Sequence, residues 1–203
     1  MYLHGFRSSP ASFKARLLGA WFEAHRLGNC FICPSIPVAP GEAIRILDQT
    51  LRLTAQDVLV GSSLGGLYAT CLAERHGCRA VLLNPAVHPS RDLARFVGTV
   101  QAWHTDAHFS WRAEDLEALR ELESIPLGDP GRYLLIAATG DEVIDWRLMA
   151  SRYAGCHQII VEGSNHALDG FEDLLEQVIR FAQFAPSSRG APSQFADGWH
   201  TRG

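Results

Sequence analysis

Three positions in this chain have the residue types of a covalent hydrolytic relay, and the first is marked by its neighbours. Val58-Leu59-Val60-Gly61-Ser62-Ser63-Leu64-Gly65-Gly66-Leu67 is a short apolar run that breaks into Gly-x-Ser-x-Gly and resumes as a helical sequence. It reads as a nucleophile elbow, in which a strand turns sharply into a helix, strains the backbone of the nucleophile and tolerates only small residues two positions to either side. Gly61 and Gly65 give Ser63 that room, whereas centring on Ser62 puts Val60 and Leu64 where glycines are needed. The pattern alone decides little, since roughly one random chain of this length in fifteen carries it.

A serine hydroxyl is a weak nucleophile at neutral pH and needs a base within hydrogen-bond reach, itself oriented by an acid. Ile136-Ala137-Ala138-Thr139-Gly140-Asp141 is an apolar strand pattern ending in Gly-Asp. Val161-Glu162-Gly163-Ser164-Asn165-His166 repeats the arrangement one unit later with a histidine. Ser63, Asp141 and His166 stand in the chain order of the triad that accompanies such an elbow. In that reading His166 takes the Ser63 proton during attack on a carbonyl carbon and returns it to the leaving alcohol or thiol, while Asp141 steadies the imidazolium. Glu142 and Asp145 compete for the acid's place; Asp141 is favoured because it comes first after the strand and glycine. The backbone N–H groups of Phe6 and Leu64 are the expected oxyanion donors. This chemistry calls for no cofactor and no metal.

These residues need strands that end on one edge. Strand-like runs occur at Tyr2-Leu3, Cys30 to Ile36, Asp57 to Gly61, Arg79 to Leu83, Arg132 to Ala138 and His157 to Val161. Helical patterns alternate with them. Ser9-Pro10 predicts a capped helix start, with Phe13, Leu17, Leu18, Trp21 and Phe22 on one face. Ile44, Leu47 and Leu51 make a second stripe, Leu64 to His76 a helix closed by Gly77, and Phe171, Leu174, Leu175, Val178 and Ile179 the inner side of the last. Such alternation specifies an α/β protein with a parallel sheet covered on both faces. Between residues 86 and 130 a long connection holds Trp103, His104, His108, Phe109, Trp111 and a helical stretch from Glu114 to Leu122. It predicts a small cap insertion whose aromatic residues pack it down or line an acyl pocket. Residues 185–203, rich in Ser, Pro and Gly, read as a disordered tail on a single domain of residues 1–184.

The 203 residues, 47% of them hydrophobic, fit one compact domain, and a net charge of -4 argues against a broad nucleic-acid footprint. No apolar stretch approaches a membrane span of about 20 residues, so a cytoplasmic protein is expected. Five cysteines, an odd number in apolar surroundings, suit reduced thiols in a core. Cys30-Phe31-Ile32-Cys33 lies in a strand-like segment and not at a helix N-terminus, where a redox pair has its thiolate stabilised. His104-Thr105-Asp106-Ala107-His108 has ligand types at alternate positions but no second cluster to complete a metal site.

Taken together with Tyr2-Leu3-His4-Gly5-Phe6-Arg7-Ser8-Ser9-Pro10, Leu83-Asn84-Pro85-Ala86, Thr139-Gly140-Asp141-Glu142-Val143-Ile144-Asp145 and Glu162-Gly163-Ser164-Asn165-His166-Ala167, the chain closely resembles the YqiA-like esterases (UPF0227), small α/β-hydrolases. The resemblance runs from the first residue to about Phe184. It implies hydrolysis of carboxylic esters and acyl thioesters, with Ser63, Asp141 and His166 as the matched triad and His4-Gly5-Phe6 as the matched oxyanion loop. It also implies a compact α/β-hydrolase fold lacking the first two strands of the full fold. That leaves a six-stranded, mostly parallel sheet, in order 4-3-5-6-7-8 by the numbering of the full fold. Met1 stands within the third of those strands, which leaves room for an upstream start codon. The expected partner is a small-molecule acyl ester or thioester. Arg7, beside the oxyanion loop, reads as a solvated charge or as a contact for an anionic substrate group. An acyltransferase uses the same residues, and a silent domain that binds a small molecule or protein is the alternative from another class.

Overall fold

A computed structural model describes residues 1–101 and 108–183. Its elements follow the order β1 (Tyr2–Leu3), α1 (Phe13–Ala24), α2 (Pro40–Leu51), β2 (Val58–Ser62), α3 (Leu64–His76), β3 (Arg79–Leu83) and α4 (Pro89–Asp92). Then come β4 (Gly98–Gln101), β5 (His108–Trp111), α5 (Ala113–Glu123), β6 (Tyr133–Ala138), α6 (Trp146–Arg152), β7 (His157–Val161) and α7 (Phe171–Gln183). Five strands form a parallel sheet in the order β1-β2-β3-β6-β7, and β4 and β5 pair separately as an antiparallel hairpin.

The central strands are apolar on both faces because both are covered. Leu3, Leu59, Leu82, Leu135 and Ala137 face a core shared with α2, α3, α5 and α6. Tyr2, Val60, Val81, Leu83, Ile136 and Ala138 alternate with them and pack against α1 and α7. That strict alternation is the two-residue period of a pleated strand.

The sheet has five strands where six are expected. Residues 30–36 form no strand: a short 3₁₀ turn ends at Cys30, and the one backbone bond linking the segment to β1 is Tyr2 N–H to the Ile32 carbonyl, 2.8 Å. Pro34 and Pro37 explain the difference, since neither has an N–H to donate to a ladder. The remaining strands keep the expected order. Helix α1 begins at Phe13 and not beside Pro10; Ser9 accepts instead from Ser12 N–H through its carbonyl and from Ala11 N–H through its hydroxyl, making a separate turn. Phe13, predicted on the buried face, is 48% exposed. All five cysteines are free, but only Cys71 and Cys78 lie in the core; Cys30 is exposed. Burial pushes the Cys33 thiol up to about 11, away from the range of a redox nucleophile.

Helix α3 ends at Gly77, φ +72°, a left-handed cap that glycine adopts without strain. Among the described residues no helix is long and apolar enough to cross a membrane. Residues 185–203, read as a tail, lie outside the described residues.

Register aligns the carboxyl ends of the strands. Ser62 pairs with Leu83 and Ala138 with Val161, so the segments beginning at Gly5, Ser63, Asn84, Asp141 and His166 all leave one edge of the sheet. Open parallel sheets bind their ligands outside this edge.

Candidate active site

Ser63 occupies the turn between β2 and α3 with φ +55° and ψ −122°. This conformation costs of order 1–3 kcal/mol for a residue with a side chain. The surroundings hold it there: Ser63 N–H donates to the Leu83 carbonyl at 3.0 Å, and its own carbonyl accepts from Gly66 N–H at 2.8 Å and Ala86 N–H at 2.9 Å. The flanking glycines are required by space. A Cβ on Gly61 would stand 2.3 Å from the Gly65 carbonyl oxygen, and one on Gly65 would stand 2.1 Å from that of Leu3. Gly66 is a third such position, with a Cβ there 2.7 Å from that of Pro85. Only the run of two glycines hinted at that need.

His166 reaches Ser63 from the loop after β7. Its Nε2 lies 3.1 Å from Ser63 Oγ and its Nδ1 lies 2.7 Å from Asp141 Oδ2. The Asp141 side chain is fully buried; its other oxygen accepts from the N–H groups of Val143 and Ile144, both at 2.8 Å. The two rival acids have other partners. Glu142 accepts from the backbone N–H of His166 at 3.0 Å, and Asp145 caps α6 by accepting from Arg147 N–H at 2.9 Å. The two loops are also bound to each other: Gly163 N–H donates to Thr139 Oγ1 at 2.8 Å.

The loop after β1 closes the other side of Ser63. Gly5 abuts Ser63 so closely that a Cβ on it would stand 3.0 Å from Ser63 Cβ. His4 braces this loop. Its Nε2 accepts from Ile36 N–H at 3.3 Å, which makes Nδ1 the protonated nitrogen, placed to donate to the Gly5 carbonyl at 3.2 Å. Burial lowers its pKa and keeps the ring neutral. Phe6 and Leu64, with Arg7 and Tyr68, line a hollow of about 70 Å³ beside this loop. Leu64 N–H belongs to the first turn of α3, where helical N–H groups have no intrahelical acceptor.

Aromatic residues cover the loop from the long connection. The Phe6 ring lies 4.8 Å from Trp111 and 5.6 Å from Phe96, centroid to centroid, and Trp111 is buried. Trp103, His104 and Asp106 lie outside the described residues, and among those described no cluster of three metal-ligating side chains occurs. A larger cavity, about 430 Å³, opens at the opposite end of the strands between Met1, Trp21, Phe31, Val58 and Ile179. It touches none of Ser63, Asp141 and His166, so its size does not make it the reacting site.

Several solved structures share this fold. The chain superposes on Est1E from Butyrivibrio proteoclasticus, solved with ferulic acid, with a TM-score of 0.61 and 15% identity over 90% of this chain and 86% of that one. For the monoacylglycerol lipase of Paleococcus ferrophilus the TM-score is 0.62 and the identity 15%, over 89% and 92% of the two chains. For a pyrethroid hydrolase from Sphingobium faniae JZ-2 they are 0.58 and 18%, over 93% and 98%. At these identities the likeness is one of fold, that of the α/β-hydrolases. The sequence profile of the uncharacterised protein family UPF0227 matches residues 1–183.

Proposed function

Because the chain belongs to the UPF0227 family and has an α/β-hydrolase fold, we propose that it is a serine hydrolase cleaving carboxylic esters or acyl thioesters of small molecules. The observation that carries this reading is the unbroken chain of contacts from Ser63 Oγ through His166 to Asp141, at 3.1 and 2.7 Å. Ser63 attacks the acyl carbon while His166 Nε2 takes its proton. The developing oxyanion is received by the N–H groups of Phe6 and Leu64, each such donor contributing about 3 to 4 kcal/mol to transition-state stabilisation. His166 then passes the proton to the departing alcohol or thiol. Water enters, His166 deprotonates it, and the acyl-enzyme is hydrolysed to acid and free Ser63. Asp141 accepts from Nδ1–H throughout, which leaves Nε2 free as the base and stabilises the imidazolium.

The strain at Ser63 supports the same reading, since a left-handed serine wedged between two glycines is an expensive way to make an ordinary turn. A pure binding domain has no need of it. Five free cysteines accord with a reducing, cytoplasmic setting. The test is hydrolysis of a graded series of p-nitrophenyl esters and acyl-CoA thioesters by the parent and by Ser63→Ala. The expected result is loss of turnover with unchanged thermal unfolding. Retained turnover in Ser63→Ala contradicts the proposal.

A further inference from the structure

The loop that carries His166 is suspended from two buried side chains on distant elements. Asn84, the residue after β3, donates through Nδ2 to the carbonyls of Asn165 at 3.0 Å and His166 at 3.2 Å. Lys14, in the first turn of α1, donates through Nζ to the next carbonyl, that of Ala167, at 2.7 Å. Three consecutive carbonyl oxygens thus each receive a donor from a side chain 81, 82 or 153 positions away, that of Asn165 accepting from Leu168 N–H at 2.9 Å as well.

We propose that Asn84 and Lys14 are positioning residues for the base, fixing the backbone of residues 165–167 so that His166 Nε2 stays within reach of Ser63 Oγ. The inference rests on the reading of His166 as the base. Asn84 suits the task because its amide has two ends. Its oxygen accepts from Ala138 N–H at 2.8 Å, at the end of β6, three residues before Asp141. A single side chain therefore spaces the acid's strand from the base's loop. It does so with the Asn84 backbone at φ +43° and the residue fully buried. Asparagine enters the left-handed region more readily than most residues, and leucine or valine would not supply the bonds.

Lys14 is the stronger indication, because stability gives no reason for it. Lys14 is only 9% exposed as a residue, so its charge forfeits hydration, and the charges of Asp141 and Asp169 offset this only in part. An apolar residue of equal length fills the space at lower cost. What methionine lacks is a donor for the Ala167 carbonyl and a positive charge within electrostatic reach of Asp141.

The test uses Asn84→Asp, which keeps the acceptor for Ala138 N–H and loses the amide donors, and Lys14→Met, which keeps length and loses donor and charge. Each is assayed on a p-nitrophenyl ester, with competent sites counted by fluorophosphonate labelling taken to completion, so that misfolded copies drop out. Displacement of the base predicts kcat per labelled site lower by about 10- to 100-fold, with KM within about threefold of the parent. Lys14→Met is expected to be at least as stable as the parent at pH 7 while turning over more slowly, a combination that a structural role does not produce. Should Asn84→Asp yield no folded protein, Asn84→Gly, which tolerates φ +43° and also lacks the amide donors, is assayed in its place. Parental kcat per site in Lys14→Met overturns the proposal for Lys14, and in Asn84→Asp that for Asn84. Turnover surviving in Ser63→Ala overturns the hydrolase reading instead, so the two failures are distinguishable.

Discussion

Replacing Asp141 by asparagine is nearly isosteric, yet the geometry predicts a severe loss of acylation. Asp141 Oδ1 accepts from Val143 and Ile144 N–H at 2.8 Å each, and Oδ2 accepts from His166 Nδ1 at 2.7 Å. Asparagine has one acceptor oxygen, and the two backbone donors fix where it goes. Turning the amide the other way sets its NH₂ against both and leaves them unpaired, at about 1–3 kcal/mol each. The amide nitrogen therefore faces His166 Nδ1, and the imidazole must move its proton to Nε2. In that tautomer Nε2–H points at Ser63 Oγ, 3.1 Å away, and nothing remains to take the hydroxyl proton. An enforced wrong tautomer of this kind lowers turnover by about 10⁴ in a well-studied Ser-His-Asp site. At about 1.4 kcal/mol per tenfold, that is roughly 5.5 kcal/mol of activation free energy. Stopped-flow measurement of the p-nitrophenolate burst reads the acylation rate, with thermal unfolding as the control for folding. Asp141→Ala leaves the ring free to choose its tautomer, so the asparagine variant is expected to be no faster than the alanine variant. An asparagine variant within about tenfold of the parent is incompatible with Asp141 setting the tautomer of His166.

Two further outcomes follow. Gly65→Ala brings a methyl group to 2.1 Å from the Leu3 carbonyl oxygen and 2.7 Å from that of His4, both backbone atoms. α3 must then move away from β1, at a cost of about 1–3 kcal/mol or more and with Ser63 drawn from the Gly5-Phe6 loop; chemical denaturation and esterase assay check both effects. Burial lowers the Lys14 ammonium from 10.5 to about 8, so between these values the unfolded chain holds a proton that the folded chain has released. Stability therefore rises with pH across that window, by up to about 3 kcal/mol from this group, and Lys14→Met lacks that rise. Denaturant midpoints of the two proteins at pH 7.5 and pH 10 measure the difference; identical pH responses contradict it.

What the chain reveals before folding depends on whether the constraint is local. The elbow is legible because crowding around Ser63 acts on residues two positions away, and the covered parallel sheet because apolar runs alternate with helical stripes, whereas the strand order comes only with the family resemblance. The edge segment at Cys30–Ile36 misleads for an equally local reason: its β-branched and aromatic residues suggest a strand, but Pro34 and Pro37 withhold ladder donors. Ser9-Pro10 likewise has the composition of a helix start and is used for a turn that precedes one. The support of the site is illegible because it is nonlocal. Nothing near Lys14 in sequence marks it as buried, and lysine is among the residues least often found inside. Its partner is 153 positions away. Asn84 and Glu142 likewise gain their roles only once the carboxyl ends of β3, β6 and β7 are brought side by side.

Covalent acylation of Ser63 during turnover is the step on which the proposed function depends. Mixing the protein with excess p-nitrophenyl butyrate, quenching in acid within the burst and mapping the adduct by mass spectrometry tests it directly. One butyryl group per chain is expected, on the peptide containing Ser63, absent from Ser63→Ala and diminished in His166→Ala. Turnover with no adduct at that residue, or an adduct on another nucleophile, would contradict it.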